Sequence, residues 1–268
     1  MTRIQIEPGR WSTPAHVELD EEEIFFVLSG SGLSWQGGKT YQVRAGDCIV
    51  HLVATEVHTL YAGEDGLDVL AFGERTNATA TYLPRAKVLR MGPTVDASQG
   101  PHPWEREAAA GPPDLSEPSR RPTNIVNVDD VPGSWKLLAK QAGSVRTGLN
   151  LAIGEPGEDG EPHCHSADEE IFVVLDGEGT LELWGPPKPG SAPATEPKET
   201  HPVRRGHVVA RPAGTRISHC LRAGADGLTY LAYGTRRPDD VCYYPRDNQV
   251  YFRGLGLLTE LKPVLLKE

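Results

Sequence analysis

The chain has no apolar run long enough to cross a bilayer, and its opening residues, Met1-Thr-Arg-Ile-Gln-Ile6, hold no apolar stretch of signal-peptide length. Its four cysteines (Cys48, Cys164, Cys220 and Cys242) lie far apart with no CxxC pair, so free thiols in a reducing cytoplasm are expected. Basic residues are in deficit. The 27 Lys and Arg against 37 Asp and Glu leave a formal charge of -10, which argues against nucleic acid or an anionic membrane as partner, since either selects a basic face. Part of that acid lies in runs such as residues 18–23, read as solvated surface. No serine sits in a Gly-x-Ser-x-Gly elbow, no Gly-rich phosphate loop precedes a helix, and no helix-turn-helix segment is appended.

No window sustains an amphipathic helical pattern beyond about three turns. What is abundant is punctuation: Gly 29 and Pro 23, in an otherwise ordinary soluble composition, favour many short strands and turns. With 268 residues the chain has room for two domains of ordinary size. All-β is the expected class.

The sequence also repeats itself. Leu60-Tyr-Ala-Gly-Glu-Asp-Gly-Leu-Asp-Val-Leu-Ala-Phe-Gly73 aligns without gaps with Leu221-Arg-Ala-Gly-Ala-Asp-Gly-Leu-Thr-Tyr-Leu-Ala-Tyr-Gly234, identical at nine of fourteen positions. Glu22-Glu-Ile-Phe-Phe-Val-Leu-Ser-Gly-Ser-Gly32 matches Glu169-Glu-Ile-Phe-Val-Val-Leu-Asp-Gly-Glu-Gly179, and Tyr82-Leu-Pro-Arg85 matches Tyr243-Tyr-Pro-Arg246. Blocks that keep their order mark a duplicated domain. The expected division is a domain at 1–91, a Pro/Gly-rich linker at 92–123 and a domain at 124–268, opened by a strand at Asn124-Ile-Val-Asn-Val-Asp129. An insertion from Pro186 to about Pro202 is peculiar to the second copy and reads as a surface loop at one hairpin. In each copy a β-rich run is closed by Gly-x-Gly, read as a turn.

The second copy carries Gly157-Glu-Asp-Gly-Glu-Pro-His163-Cys-His165-Ser-Ala-Asp-Glu-Glu170-Ile-Phe-Val-Val-Leu-Asp-Gly177. On a strand, positions two apart face the same way, so His163 and His165 point together and Cys164 points away. Glu170 follows a turn and reaches the same point, and Gly206 to His219 brings a third imidazole. This stretch matches G-x5-H-x-H-x4-E-x6-G, the first motif of the cupin family, and Gly206, Pro212, Gly214 and His219 resemble the second. The second motif departs by two extra residues before His219 and lacks the asparagine that follows in the family.

The resemblance implies two tandem cupin-type jelly-roll barrels, with one divalent transition metal (Fe, Mn, Ni, Cu or Zn) on His163, His165, Glu170 and His219. Four protein ligands would leave positions open for water or a chelating substrate. In the first copy His16, Glu18, Glu23 and His58 align with these ligands as a weaker candidate site, and a vestigial barrel is the favoured reading there. His51, His102, His201 and His207 find no such partners, with His102 and His201 placed in loops. Cys164 and Cys220 read as packed thiols, and Arg211 and Arg216 as exposed.

The function implied is that of a metal-dependent enzyme of dioxygenase, decarboxylase or isomerase type acting on a small oxygen-rich molecule. A non-catalytic metal-dependent binding or storage protein is the alternative. No separate catalytic acid or base is identifiable. Monomer, as an intramolecular pseudo-dimer, and homodimer both stay open.

Overall fold

The computed structural model describes residues 1–74, 76, 79–92, 100–186 and 194–261. Strands dominate, and two short helices are the α-helical elements among the described residues. None is long and apolar enough to cross a membrane. The chain divides into two compact units, Met1–Val131 with Leu137–Thr147, and Pro132–Lys136 with Gly148–Glu268.

The first unit contains β1 (Thr2–Ile6), β2 (Val17–Glu18), β3 (Glu23–Gln36), β4 (Lys39–Arg44), β5 (Asp47–His51), β6 (His58–Gly73), β7 (Ala80–Leu83), β8 (Val88–Met91), α1 (Pro103–Ala109) and β9 (Ile125–Asn127). The antiparallel sheet runs β1-β6-β3-β5-β9 with β4 on β3, and a smaller sheet runs β2-β7-β8. The second unit repeats the plan. It contains β10 (Trp135–Lys136), β11 (Thr147–Gly154), β12 (Cys164–His165), β13 (Glu170–Trp184), β14 (Glu199–Arg204), β15 (Val208–Arg211), β16 (Ser218–Thr235), β17 (Val241–Tyr244), β18 (Gln249–Phe252) and β19 (Leu257–Glu260). Its large sheet runs β10-β11-β16-β13-β14 with β15 on β13, and its small sheet β12-β17-β18-β19. A second helix, α2 (Leu138–Gln141), packs on β5 and β9 in the first unit. Each unit is an all-β jelly-roll barrel.

Period-two patterning places the cores. Phe25, Val27, Ile49, Leu60 and Val69 face inward in the first barrel, and Phe172, Val174, Leu181, Leu221 and Leu228 in the second. The repeated Gly-x-Gly is not a turn. β3 and β13 run straight through it, with register shifts against β6 and β16 at Gly30/Gly32 and Gly177/Gly179. A Cβ at Gly30 (φ +84°) would lie 2.1 Å from Gly66 O, and one at Gly177 (φ +76°) 2.3 Å from Gly227 O. The glycines let two bulged strands touch backbone to backbone while bending to close the barrel.

The presumed linker is tied to the first unit. Glu107 of α1 is fully buried and accepts from Arg85 Nε and from Ala86 N. The Arg121 guanidinium grips buried Asp47 at 2.6 and 3.0 Å. The strand expected to enter the second domain, β9, pairs instead with β5, and Asn127 Nδ2 donates to Ala45 O and Asp47 Oδ1. Proline and glycine there report turns between anchors, which composition does not distinguish from free chain. Residues 93–99 of that segment lie outside the described residues, as do residues 187–193 of the insertion, whose end is already strand β14.

The acidic run is likewise not a solvated face. Glu22 is 1% exposed and accepts from Ser144 Oγ, Val145 N, Arg146 N, Thr147 N and Thr147 Oγ1. Burial opposes its charge, yet these donors hold its carboxyl below the usual range. One side chain thereby closes the 144–147 turn onto the first barrel. Glu169, its repeat counterpart, is exposed. Glu22→Ala is expected to destabilise the protein by about 3 kcal/mol, because several buried donors lose their acceptor. Glu169→Ala is expected to cost under about 0.5 kcal/mol. Urea midpoints of the two variants check the contrast.

Candidate functional site

In the second barrel β12 is a two-residue strand paired with β17, and the chain just before it bridges to the start of β16, setting His163 opposite His219. Glu170 begins β13, which runs beside β16. Three sequence-distant segments therefore converge. His219 Nε2 lies 2.9 Å from Glu170 Oε2, His163 Nε2 3.6 Å from Oε1, and His165 Nε2 3.6 Å from Oε2. One atom each from His163, Glu170 and His219 falls within a mutual 4.8 Å, and His165 joins through the same carboxylate. All four residues singled out from the sequence meet.

The orientation of the imidazoles is set from behind. His163 Nδ1 donates to Glu161 O at 2.8 Å, and His165 Nδ1 to Asp240 Oδ2 at 2.7 Å. Glu170 Oε2 and both nitrogens of His219 are buried without a hydrogen-bond partner, since their 2.9 Å contact lacks hydrogen-bond alignment. Burial works against the Glu170 charge, but the facing imidazoles of His163 and His219 hold its carboxyl well below the ordinary range. Glu170 Oε2 and His219 Nε2, buried, facing each other and without a hydrogen bond, are an arrangement that a divalent transition ion would satisfy.

This cluster lines a cavity of about 500 Å³, whose other walls include Phe172, Leu221, Leu228, Tyr230 and Asn150. Cys164, Cys220 and Cys242 are buried free thiols, and burial beside Glu182 pushes Cys220 up to about 12. Arg216 is exposed, but Arg211 is half-buried, paired across the sheet with Glu170 and donating to Ile217 O at 2.8 Å. The reading of Arg211 as exposed is thus corrected: its strand sets it across from Glu170.

The first barrel converges too, with one atom each from His16, Glu23 and His58 within the same mutual 4.8 Å. His58 Nε2 lies 3.0 Å from Glu23 Oε2, and His16 Nε2 3.8 Å from Glu23 and 3.9 Å from Glu18. Glu18 accepts from Thr81 Oγ1. His51, which the sequence left without partners, is buried and stacks on His58 with ring centroids 3.7 Å apart. Trp104 of α1 sets its ring against His16 at 5.0 Å. Burial and the neighbouring His58 push His16 down to about 4. His102 and His207 are exposed, and His201 is exposed on β14 rather than in a loop. Among the residues the sequence missed, Asp240, His51 and Trp104 have no spacing signature, because each reaches the site from behind a ligand or from a separate element.

Glu18 and Glu21 carry a pH signature. Burial, reinforced by neighbouring carboxylates, pushes Glu18 up to about 7 and Glu21 up to about 8. The folded chain keeps these protons to higher pH than the unfolded chain, so their contribution to stability is lost as pH rises through the folded values. The metal-free protein is expected to show a urea midpoint that falls from about pH 7 to about pH 8.5, where unfolded histidines are largely neutral, and levels off above it once both carboxyls have ionised. Glu21→Gln should flatten that fall; an unchanged slope would contradict the assignment.

Residues 2–69 match the cupin domain family. No curated protein matches the chain. Among solved structures, the 11S globulin of Wrightia tinctoria superposes with a TM-score of 0.58 at 14% identity, covering 90% of this chain and 76% of its own. Oxalate decarboxylase of Bacillus subtilis, described with Mn(II) centres, superposes with a TM-score of 0.54 at 15% identity, over 89% of this chain and 69% of its own. A sugar phosphate isomerase of the cupin superfamily from Silicibacter pomeroyi matches half of this chain and 79% of its own at 24% identity, with a TM-score of 0.40.

Proposed function

We propose that the chain is a two-domain cupin and that its second barrel is a metal-dependent enzyme site for a small, oxygen-rich molecule. The observation that carries this reading is the convergence of three imidazole Nε2 atoms on one buried carboxylate beside a cavity of about 500 Å³. His163, His165, Glu170 and His219 would hold one divalent transition ion, a donor set of three imidazoles and one carboxylate suited to Fe, Mn, Ni, Cu or Zn. When bound, such an ion supplies Lewis acidity toward a chelating oxygen, or redox chemistry with dioxygen if it is iron.

The rest is the work of this chain's own residues. Phe172, packed edge-on against His219, gives the cavity an apolar wall together with Leu221 and Leu228. Burial pushes Tyr230 up to about 12, so its hydroxyl keeps its proton at neutral pH and serves as a donor to a substrate oxygen. Asn150 Oδ1, buried without a hydrogen-bond partner, offers an acceptor for a substrate hydroxyl. The first barrel's cluster is read as structural, its rings packed against His51 and Trp104 and one position taken by Glu18 in place of a histidine.

Elemental analysis of the purified protein is expected to give about one ion per chain, lost in His163→Ala and in Glu170→Ala. A second ion that survives both substitutions would return the first barrel to the functional account. Oxygen uptake or product formation by Fe(II)- or Mn(II)-loaded protein, across catechols, flavonols, hydroxybenzoates and oxalate, then tests catalysis. Saturable binding with no turnover anywhere on that panel would make the chain a binding protein.

A further inference from the structure

The imidazoles around Glu170 are not held alike. His163 leans on a backbone carbonyl, His219 has no hydrogen-bond partner, and His165 alone of the three has a carboxylate behind it. That carboxylate, Asp240, is 1% exposed and directly precedes β17, the strand that pairs with β12 and sets Cys242 opposite His165. It is itself fixed: Ala167 N and Asp168 N donate to Oδ1 at 3.0 and 3.2 Å, and Arg253 Nη2 lies 3.3 Å from Oδ2.

Two carboxylates compete for the one ring proton of neutral His165. Asp240 Oδ2 stands 2.7 Å from Nδ1, a short hydrogen bond, whereas Glu170 Oε2 stands 3.6 Å from Nε2, beyond hydrogen-bond range. The proton therefore belongs on Nδ1, and Nε2 presents its lone pair to the cluster. Reversal of that order would cap Nε2 with a proton and remove it as a ligand. His165, Asp168 and Asp240 together also have the spacing of a cation site. The Arg253 guanidinium already fills it, bonding Asp168 and reaching Asp240.

The repeat gives an internal control. Where the second copy has His165, Asp240 and Arg253, the first has Glu18, Thr79 and Gly92. Glu18, an acceptor, is backed by the Thr81 hydroxyl, a donor, at 2.9 Å. Each barrel supplies behind its ligand position the partner that side chain requires.

We propose that Asp240 is a positioning residue that locks His165 in its Nδ1–H tautomer and turns Nε2 into the site. The geometry stands by itself; its consequence for a metal rests on the reading given under the proposed function. In Asp240→Asn the side-chain carbonyl stays with the two backbone donors, placing the amide NH2 against His165 Nδ1. Nδ1 must then accept, and the proton moves to Nε2.

Long-range proton–nitrogen correlation spectra of metal-free protein labelled at histidine nitrogen test this. The wild type is expected to show His165 protonated at Nδ1, and Asp240→Asn to show it protonated at Nε2, with His163 unchanged in both as the internal reference. Wild-type His165 protonated at Nε2, or an Asp240→Asn protein that keeps the wild-type tautomer, would overturn the proposal. Should that variant not fold, the wild-type spectrum decides alone. Zn(II) competition titrations should show affinity lower by about 10- to 100-fold in Asp240→Asn, and no further loss from it in a His165→Ala background. A wild type that takes up no Zn(II) would sink the metal reading while leaving the tautomer result to judge Asp240.

Discussion

A carboxylate inside a β-barrel is costly unless donors meet it, and this chain is organised around that requirement. Glu22, Asp47, Glu107, Glu170 and Asp240 all lie inside or nearly so, and the groups that answer them fall into three kinds. Backbone amides and hydroxyls answer Glu22, guanidinium groups answer Asp47 and Glu107, and imidazoles answer Glu170. The first three fasten turns and the interdomain-looking segment onto the first barrel. The Glu170 set is the one left incompletely satisfied, and it lies open to a cavity. Completed carboxylates make structure here, and the incomplete one lines the cavity on which the proposed site rests.

Duplication makes the same point by contrast. The two barrels share strand order, glycine bends and a histidine–carboxylate cluster, yet they differ in what surrounds that cluster. In the first, α1 lays Trp104 on His16, and β5 stacks His51 on His58. In the second, the cross-strand neighbour of the ligand carboxylate is Arg211 instead of a histidine, and the imidazole edges reach open volume. A glutamate in place of a histidine, a helix laid on His16 and a ring stacked on His58 distinguish the first cluster from the second.

Much of this was legible in the residues. Alternation placed His163 and His165 on one side and Cys164 on the other, because the side-chain period of a strand is two and does not depend on what lies beyond it. The repeat blocks announced two barrels. The Gly-x-Gly was visible, but its reading as a turn failed: a glycine serves a reversal and a close backbone approach equally well, and register alone separates them. The acidic run around Glu22 misled because composition reports charge and says nothing of the donors that Ser144 to Thr147 bring from far along the chain.

Sequence by itself determined the class, the duplication and the identity of the four side chains that meet at Glu170, since spacing and repeat order are local and translate directly into strand geometry. Tertiary structure decided the rest: that residues 100–131 belong to the first barrel, that its histidines are covered, that Asp240 stands behind His165. These depend on contacts between segments separated by tens of residues, whose pairing is selected by the burial and hydrogen bonding of the whole barrel and leaves no period in the chain to read.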